Sequence, residues 1–241
     1  MNYLKTYQIF EANVTNPIEI IKNLNRDKNA KYTLNKDNSI DVEGNVNISY
    51  LSLTEMPVKF GKINGDFDCS NNFLKSLENA PTIVTGYFDC SSNELTSLKG
   101  CPTTVSGEFN CSSNELTSLE HCPTTITGYF YCSYNLLTSL EHCPINVTGN
   151  FDCSYNQLTS LKHCPTTILA GFSCSNNLLT SLEHGPKTVS RRFNLSYNEF
   201  PENIQKKIDN FEGTWQELMA LNVIWQSKKL NDLDNKTGLF N

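Results

Sequence analysis

The residues best suited to chemistry in this 241-residue chain are ten cysteines and four histidines. Thiols serve as nucleophiles, metal ligands or disulfide partners, and imidazoles as bases or ligands. Their spacing argues against each use. Cys69, Cys90, Cys111, Cys132, Cys153 and Cys174 recur every 21 residues, and Cys101, Cys122, Cys143 and Cys164 form a second such series. No close C-x-x-C pair occurs. His121, His142, His163 and His184 keep the same period, each beside Glu or Lys. A residue copied into every repeat reads as structural. The expectation is buried free thiols in a reducing compartment and histidines on a solvent-facing turn. No metal and no cofactor is implied. A serine follows every strand cysteine, from Ser70 to Ser175, but nothing supplies a distinct base for any one of them. P-loop, G-x-G-x-x-G, H-E-x-x-H and G-x-S-x-G motifs are absent. The sequence therefore reads as non-enzymatic.

The element that must position these residues is the repeat itself. Phe67, Phe88, Phe109, Phe130, Phe151, Phe172 and Phe193 precede the cysteine position by two. Further ladders run from Asn72 to Asn198, Leu74 to Leu179, Leu77 to Leu182, Pro81 to Pro186 and Val84 to Val189. A degenerate first rung holds Val46, Ile48, Leu51, Leu53 and Met56. About eight rungs run from Gly44 to Phe200. Each should lay one F-x-C strand beside the next, with Phe and Cys inward and the residue between them outward. The Asn amide should bond backbone groups that the tight coil leaves unpaired. A spacing of about 4.8 Å gives a sheet roughly 35–40 Å long. Twenty-one residues leave no room for a full helix, so the return side should be extended or 3₁₀. Ala170-Gly171 and Arg191-Arg192 interrupt the pattern.

A solenoid needs capped ends. Residues 1–43 are expected to form an N-terminal cap: a short helix opened by Asn16-Pro17, then a hairpin turning near Asp37-Asn38. Residues 44–200 hold the repeats. Residues 201–241 are expected to be a helical C-terminal cap with a frayed tail. There Ile204, Ile208 and Phe211 have helical spacing, Thr214 and Glu217 make a capping box, and Trp215 and Trp225 pack the cap.

The composition excludes other classes. A net charge of −6 and a pI of about 5.3 do not suit nucleic acid. No apolar run of membrane-spanning length occurs, and the start is a poor signal peptide, so a cytoplasmic location is expected. Residues 65–190 carry eleven acids against four bases. Asp66, Asp68, Tyr87, Asp89, Glu108, Asn110, Tyr129, Tyr131, Asp152 and Tyr155 fall at outward or adjoining positions of the strand side. Tyrosine anchors in an acidic surround suit a basic protein partner.

F-x-C-x-x-N-x-L at a period of 21 resembles the leucine-rich-repeat signature, with Phe and Cys in the usual leucine positions. The longer unit N-x-L-T-S-L-x-x-C-P-x-x-(V/I)-x-G-x-F-x-C-S resembles short-repeat leucine-rich proteins of bacteria and tailed bacteriophages, and MNYLKTYQIF is similar to the opening of the phage group. Secreted bacterial effectors share the short repeat, some with an appended ubiquitin-ligase domain. This chain departs from them, because its last cysteine is Cys174. The resemblance implies an α/β horseshoe with a parallel sheet on its concave face. It implies a protein-binding scaffold, a phage product that acts in the host cytoplasm on a host or virion protein. A structural or self-associating component of a particle is the alternative, and an effector lacking its catalytic domain a lesser one. A monomer or weak homo-oligomer is expected.

Overall fold

The computed structural model describes residues 16–221. The chain winds as a solenoid of 21-residue coils, and each F-x-C segment is a two-residue strand. Phe67–Asp68 pairs in parallel with Phe88–Asp89, and the register repeats without a slip to Phe193–Asn194. Val46–Asn47 adds the first strand, which completes an eight-stranded front sheet spanning seven coil steps. Alternation sends Phe and Cys to the interior, and all six strand cysteines are fully buried. The Phe rings stack from coil to coil at 5.4–5.9 Å between Phe67 and Phe172. Each buried ring contributes about 1.5–3 kcal/mol.

The horseshoe expected from the leucine-rich-repeat resemblance is not what forms. The return side is itself sheet. Phe60–Asn64, Ile83–Val84, Thr104–Val105 and Thr125–Ile126 pair in parallel, and Lys31–Leu34 with Ile40–Glu43 extends them to six strands. Asn146–Val147, Thr167–Ile168 and Thr188–Val189 form a third, three-stranded sheet at the same coil position. The remaining side carries Leu74 and Leu77 and their copies inward. One backbone bond per coil joins it, as in Glu94 N–H to Leu74 O at 3.0 Å. The result is a triangular, three-sheet β-solenoid. The physical reason is the β-branched ladder at Val84, Val105, Ile126, Val147, Ile168 and Val189: strand-formers on the return side pair across coils rather than standing apart as 3₁₀ turns. With strand spacing on both sides, the unequal spacing that bends a horseshoe into a concave face is gone.

The ends follow their local signals. Asn16 caps the helix Pro17–Leu24 by accepting from Ile18 N–H at 3.0 Å. The hairpin turns at Asn38, φ 63°. Its second strand, Ile40–Glu43, does more than cap, because it joins the six-stranded sheet. Helix Glu202–Asp209 follows the last coil, and a further helical segment begins at 215. Thr214 and Glu217 form the capping box. Trp215 is fully buried, meets Phe172 and Phe193 edge-on at 5.4 Å each, and donates to Pro186 O at 2.6 Å. Trp225 lies outside the described residues.

Candidate functional site

The geometry of the front sheet is set by two features. The first is the Asn ladder. Asn93 donates its amide to Cys69 O, Cys90 O and Ser91 O, and its Oδ1 accepts from Leu74 N–H. The same set recurs at Asn114, Asn135, Asn156 and Asn177. The second is backbone in the left-handed region at two fixed positions. One holds Tyr50, Asn71, Ser92, Ser113, Tyr134, Tyr155, Asn176 and Tyr197; the other holds Asn79, Gly100, His121, His142, His163 and His184. Asn, Gly and His tolerate that region, so the histidines occupy a turn position. They are exposed, and His121 and His184 lie near Glu120 and Glu183 at 3.8 and 3.5 Å.

The thiols sit in the core. Burial pushes every one well above the usual thiol range, which disfavours the reactive thiolate. All ten are free. Among the described residues, no three His, Cys, Asp or Glu side chains gather as a metal site. No described helix is long and apolar enough to cross a membrane.

The ten residues singled out on the strand side do assemble on or beside one surface, in two outward columns plus a flanking turn. The column after Phe holds Asp68, Asp89, Asn110, Tyr131 and Asp152 in direct register. The column before Phe holds Asp66, Tyr87, Glu108 and Tyr129. Tyr155 stands on the turn, stacked on Tyr134 at 4.1 Å. Tyr129 and Tyr131 stack at 5.9 Å.

Several of these side chains already have structural work, which sequence reading missed. Asp68, Asp89, Asn110 and Asp152 each accept from the N–H two residues on, that of Ser70, Ser91, Ser112 and Ser154, and so close the strand end. Asp66 accepts from Tyr87 N–H on the next coil at 3.0 Å. The D/N-x-S pattern carried that signal. Tyr87, Glu108, Tyr129 and Tyr131 have no comparable backbone duty.

The acids crowd one another. Burial, then Asp68, raises the Asp89 carboxyl, although Ser91 and Asn110 bond it. Burial and Asp89 raise Glu108. Burial and the four surrounding acids push the Tyr87 phenol up to about 12. No cation lies within ion-pair distance of Asp66, Asp68, Asp89 or Glu108 among the described residues.

At the C-terminal end of this face the outward column loses a side chain at Gly171. A notch of about 460 Å³ opens there, bordered by Tyr131, Asn150, Asp152, Ser173 and Arg192. A larger cavity of about 950 Å³ lies beside the packing of the cap on the last coil, lined by Arg191, Arg192, Phe193, Ile208, Phe211 and Thr214 among others.

No family model matches the chain, and no curated protein matches it. The likeness to leucine-rich-repeat proteins, phage or bacterial, is thus one of repeat spacing, and the three-sheet coil overturns it as a statement of family.

Proposed function

We propose that this chain is a non-enzymatic structural component that associates with copies of itself in a larger assembly. One observation carries the reading. The Phe, Cys, Asn and Leu ladders face inward or close a turn, while the outward columns of the front face change residue from coil to coil. That face bears exposed tyrosines and unpaired charges of both signs. No buried side-chain nitrogen or oxygen among the described residues lacks a hydrogen-bond partner, so the coil is internally complete. Its buried ionisable groups are thiols held in the neutral form, which suits packing rather than proton transfer. Sedimentation velocity across a range of concentrations tests this. A sedimentation coefficient that rises with concentration supports it, and a constant monomer value contradicts it.

A second reading is a scaffold for a basic protein partner. The unneutralised acids at Asp66, Asp68, Asp89 and Glu108 favour it. Binding to a basic protein that weakens steeply with salt, without self-association, would support this reading over the first.

A further inference from the structure

Residues equidistant from the coil of Tyr129 and Tyr131 on the front face are complementary in charge and size. In the column before Phe, Arg192 stands three coils beyond Tyr129 and Asp66 three coils before it. Gly171 and Tyr87 lie two coils to either side, and Asn150 and Glu108 one coil. In the column after Phe, Asp152 mirrors Asn110, Ser173 mirrors Asp89, and Asn194 mirrors Asp68. Arg192 is exposed, and no acid lies within ion-pair distance of it among the described residues.

We propose that two copies of this chain pair front face to front face, antiparallel along the coil axis. The twofold axis runs along the strand direction at Tyr129 and Tyr131. This proposal rests on the self-association reading and names its surface and register.

A rotation about the strand direction keeps each column opposite itself and reverses the coil order. Arg192 then meets the partner's Asp66, twice per dimer, which joins charges left unpaired within one chain. Tyr87, 36% exposed, enters the notch that Gly171 leaves. Tyr129 and Tyr131 meet their own copies at the axis, where aromatic contacts are most effective. Glu108 faces Asn150. In the other column every carboxylate faces a neutral hydrogen-bonding group: Asp152 faces Asn110, Asp89 faces Ser173, and Asp68 faces Asn194. No like charges stand directly opposed.

The alternative twofold, along the coil axis, fails on the same residues. It sets each column against the other within one coil. Asp66 would then face Asp68, carboxylate on carboxylate, and Arg192 would face only Asn194. An axis moved by one coil in either direction takes Arg192 off Asp66 and Tyr87 off Gly171. The charges and the notch therefore select one register.

The face is about 34 Å long by roughly 15 Å wide, so it buries about 500 Å² per copy, at the low end for a specific interface. Weak association, in about the micromolar range, is the expectation.

The test is sedimentation equilibrium on the full chain up to about 100 μM, with thermal melting as a control on folding. The wild type should dimerise. Arg192→Glu should weaken the dimer by about tenfold or more, as should Asp66→Arg. The double variant, Arg192→Glu with Asp66→Arg, should restore it, because each new charge meets its new opposite on the partner. Tyr87→Ala should weaken it without changing the melting temperature. Dimerisation that ignores both charge reversals, or a double variant no better than the singles, overturns this register but leaves self-association standing. A monomer at every concentration overturns both. If a reversal lowers the melting temperature, its double variant decides: restored dimer supports the register, and none rejects it.

Discussion

Asn135 ties Leu116 to its own coil. Its Oδ1 accepts the Leu116 N–H at 3.0 Å, and its amide reaches Cys111 O at 3.1 Å, Cys132 O at 3.2 Å and Ser133 O at 3.2 Å. One side chain thus satisfies four backbone groups on two coils, in a place water does not reach.

Asn135→Ala should destabilise the fold by about 3 kcal/mol, since it strands buried donors and acceptors. Asn135→Asp should cost more, because a carboxylate would face three carbonyls. Urea denaturation measures both, and an aspartate variant as stable as wild type would refute this role.

The histidine ladder can be tested through its backbone. His142 has φ 68°, where the equivalent earlier residues are Asn79 and Gly100. His142→Gly should leave stability nearly unchanged. His142→Val should lower it by about 1–2 kcal/mol, since a β-branched residue resists that region. Equal effects from the two variants would place the cost in the lost imidazole instead.

Asp89 carries a penalty in its ionised form. Burial raises its pKa from the ordinary aspartate value, so the folded state holds the proton more tightly than the unfolded state does. The penalty is full above the raised pKa and is relieved as pH falls through it. Asn110 shows that an amide serves the same turn, through the bond to Ser112 N–H at 3.1 Å. Asp89→Asn should therefore stabilise by about 0.5 kcal/mol at pH 7, from the loss of like-charge crowding. The gain should shrink as pH falls toward the carboxylate range. Melting temperatures across pH check both the sign and the trend.

The strand cysteines should be silent in the native state. Cys111 is fully buried and its thiol is pushed up by burial. A thiol reagent at mild alkaline pH should leave Cys69, Cys90, Cys111, Cys132, Cys153 and Cys174 unlabelled until denaturant is added. Rapid native labelling of these six would contradict the packing.

Much of the coil was legible in the sequence. The 21-residue period, the inward Phe and Cys, the Asn bonds, the Asn16 cap, the hairpin and the Thr214–Glu217 box all follow from local chemistry. The class of solenoid did not, because a Thr-(Val/Ile) pair is too short to announce a strand. Thr104–Val105 becomes one only when the next coil supplies Thr125–Ile126. The candidate face was legible as a set of positions. The internal duties of Asp66, Asp68, Asp89 and Asp152 were not, since an aspartate that closes a turn and one that awaits a partner share the same letter. The mirrored order of Arg192, Gly171, Tyr87 and Asp66 was in the sequence throughout, but it acquires meaning only once the front strands are in register.

Amide hydrogen exchange on the return side tests the three-sheet coil most directly. Thr85, Ser106, Leu169 and Ser190 each donate to a carbonyl on the preceding coil, Ile63, Val84, Val147 and Ile168, at 3.1 Å. Their exchange should be slowed to a degree comparable with front-sheet amides such as Phe88 and Cys90, whose acceptors are Glu108 O and Asn110 O. Fast exchange at these four positions beside slow exchange at Phe88 and Cys90 would mean a one-sheet coil and would contradict the account.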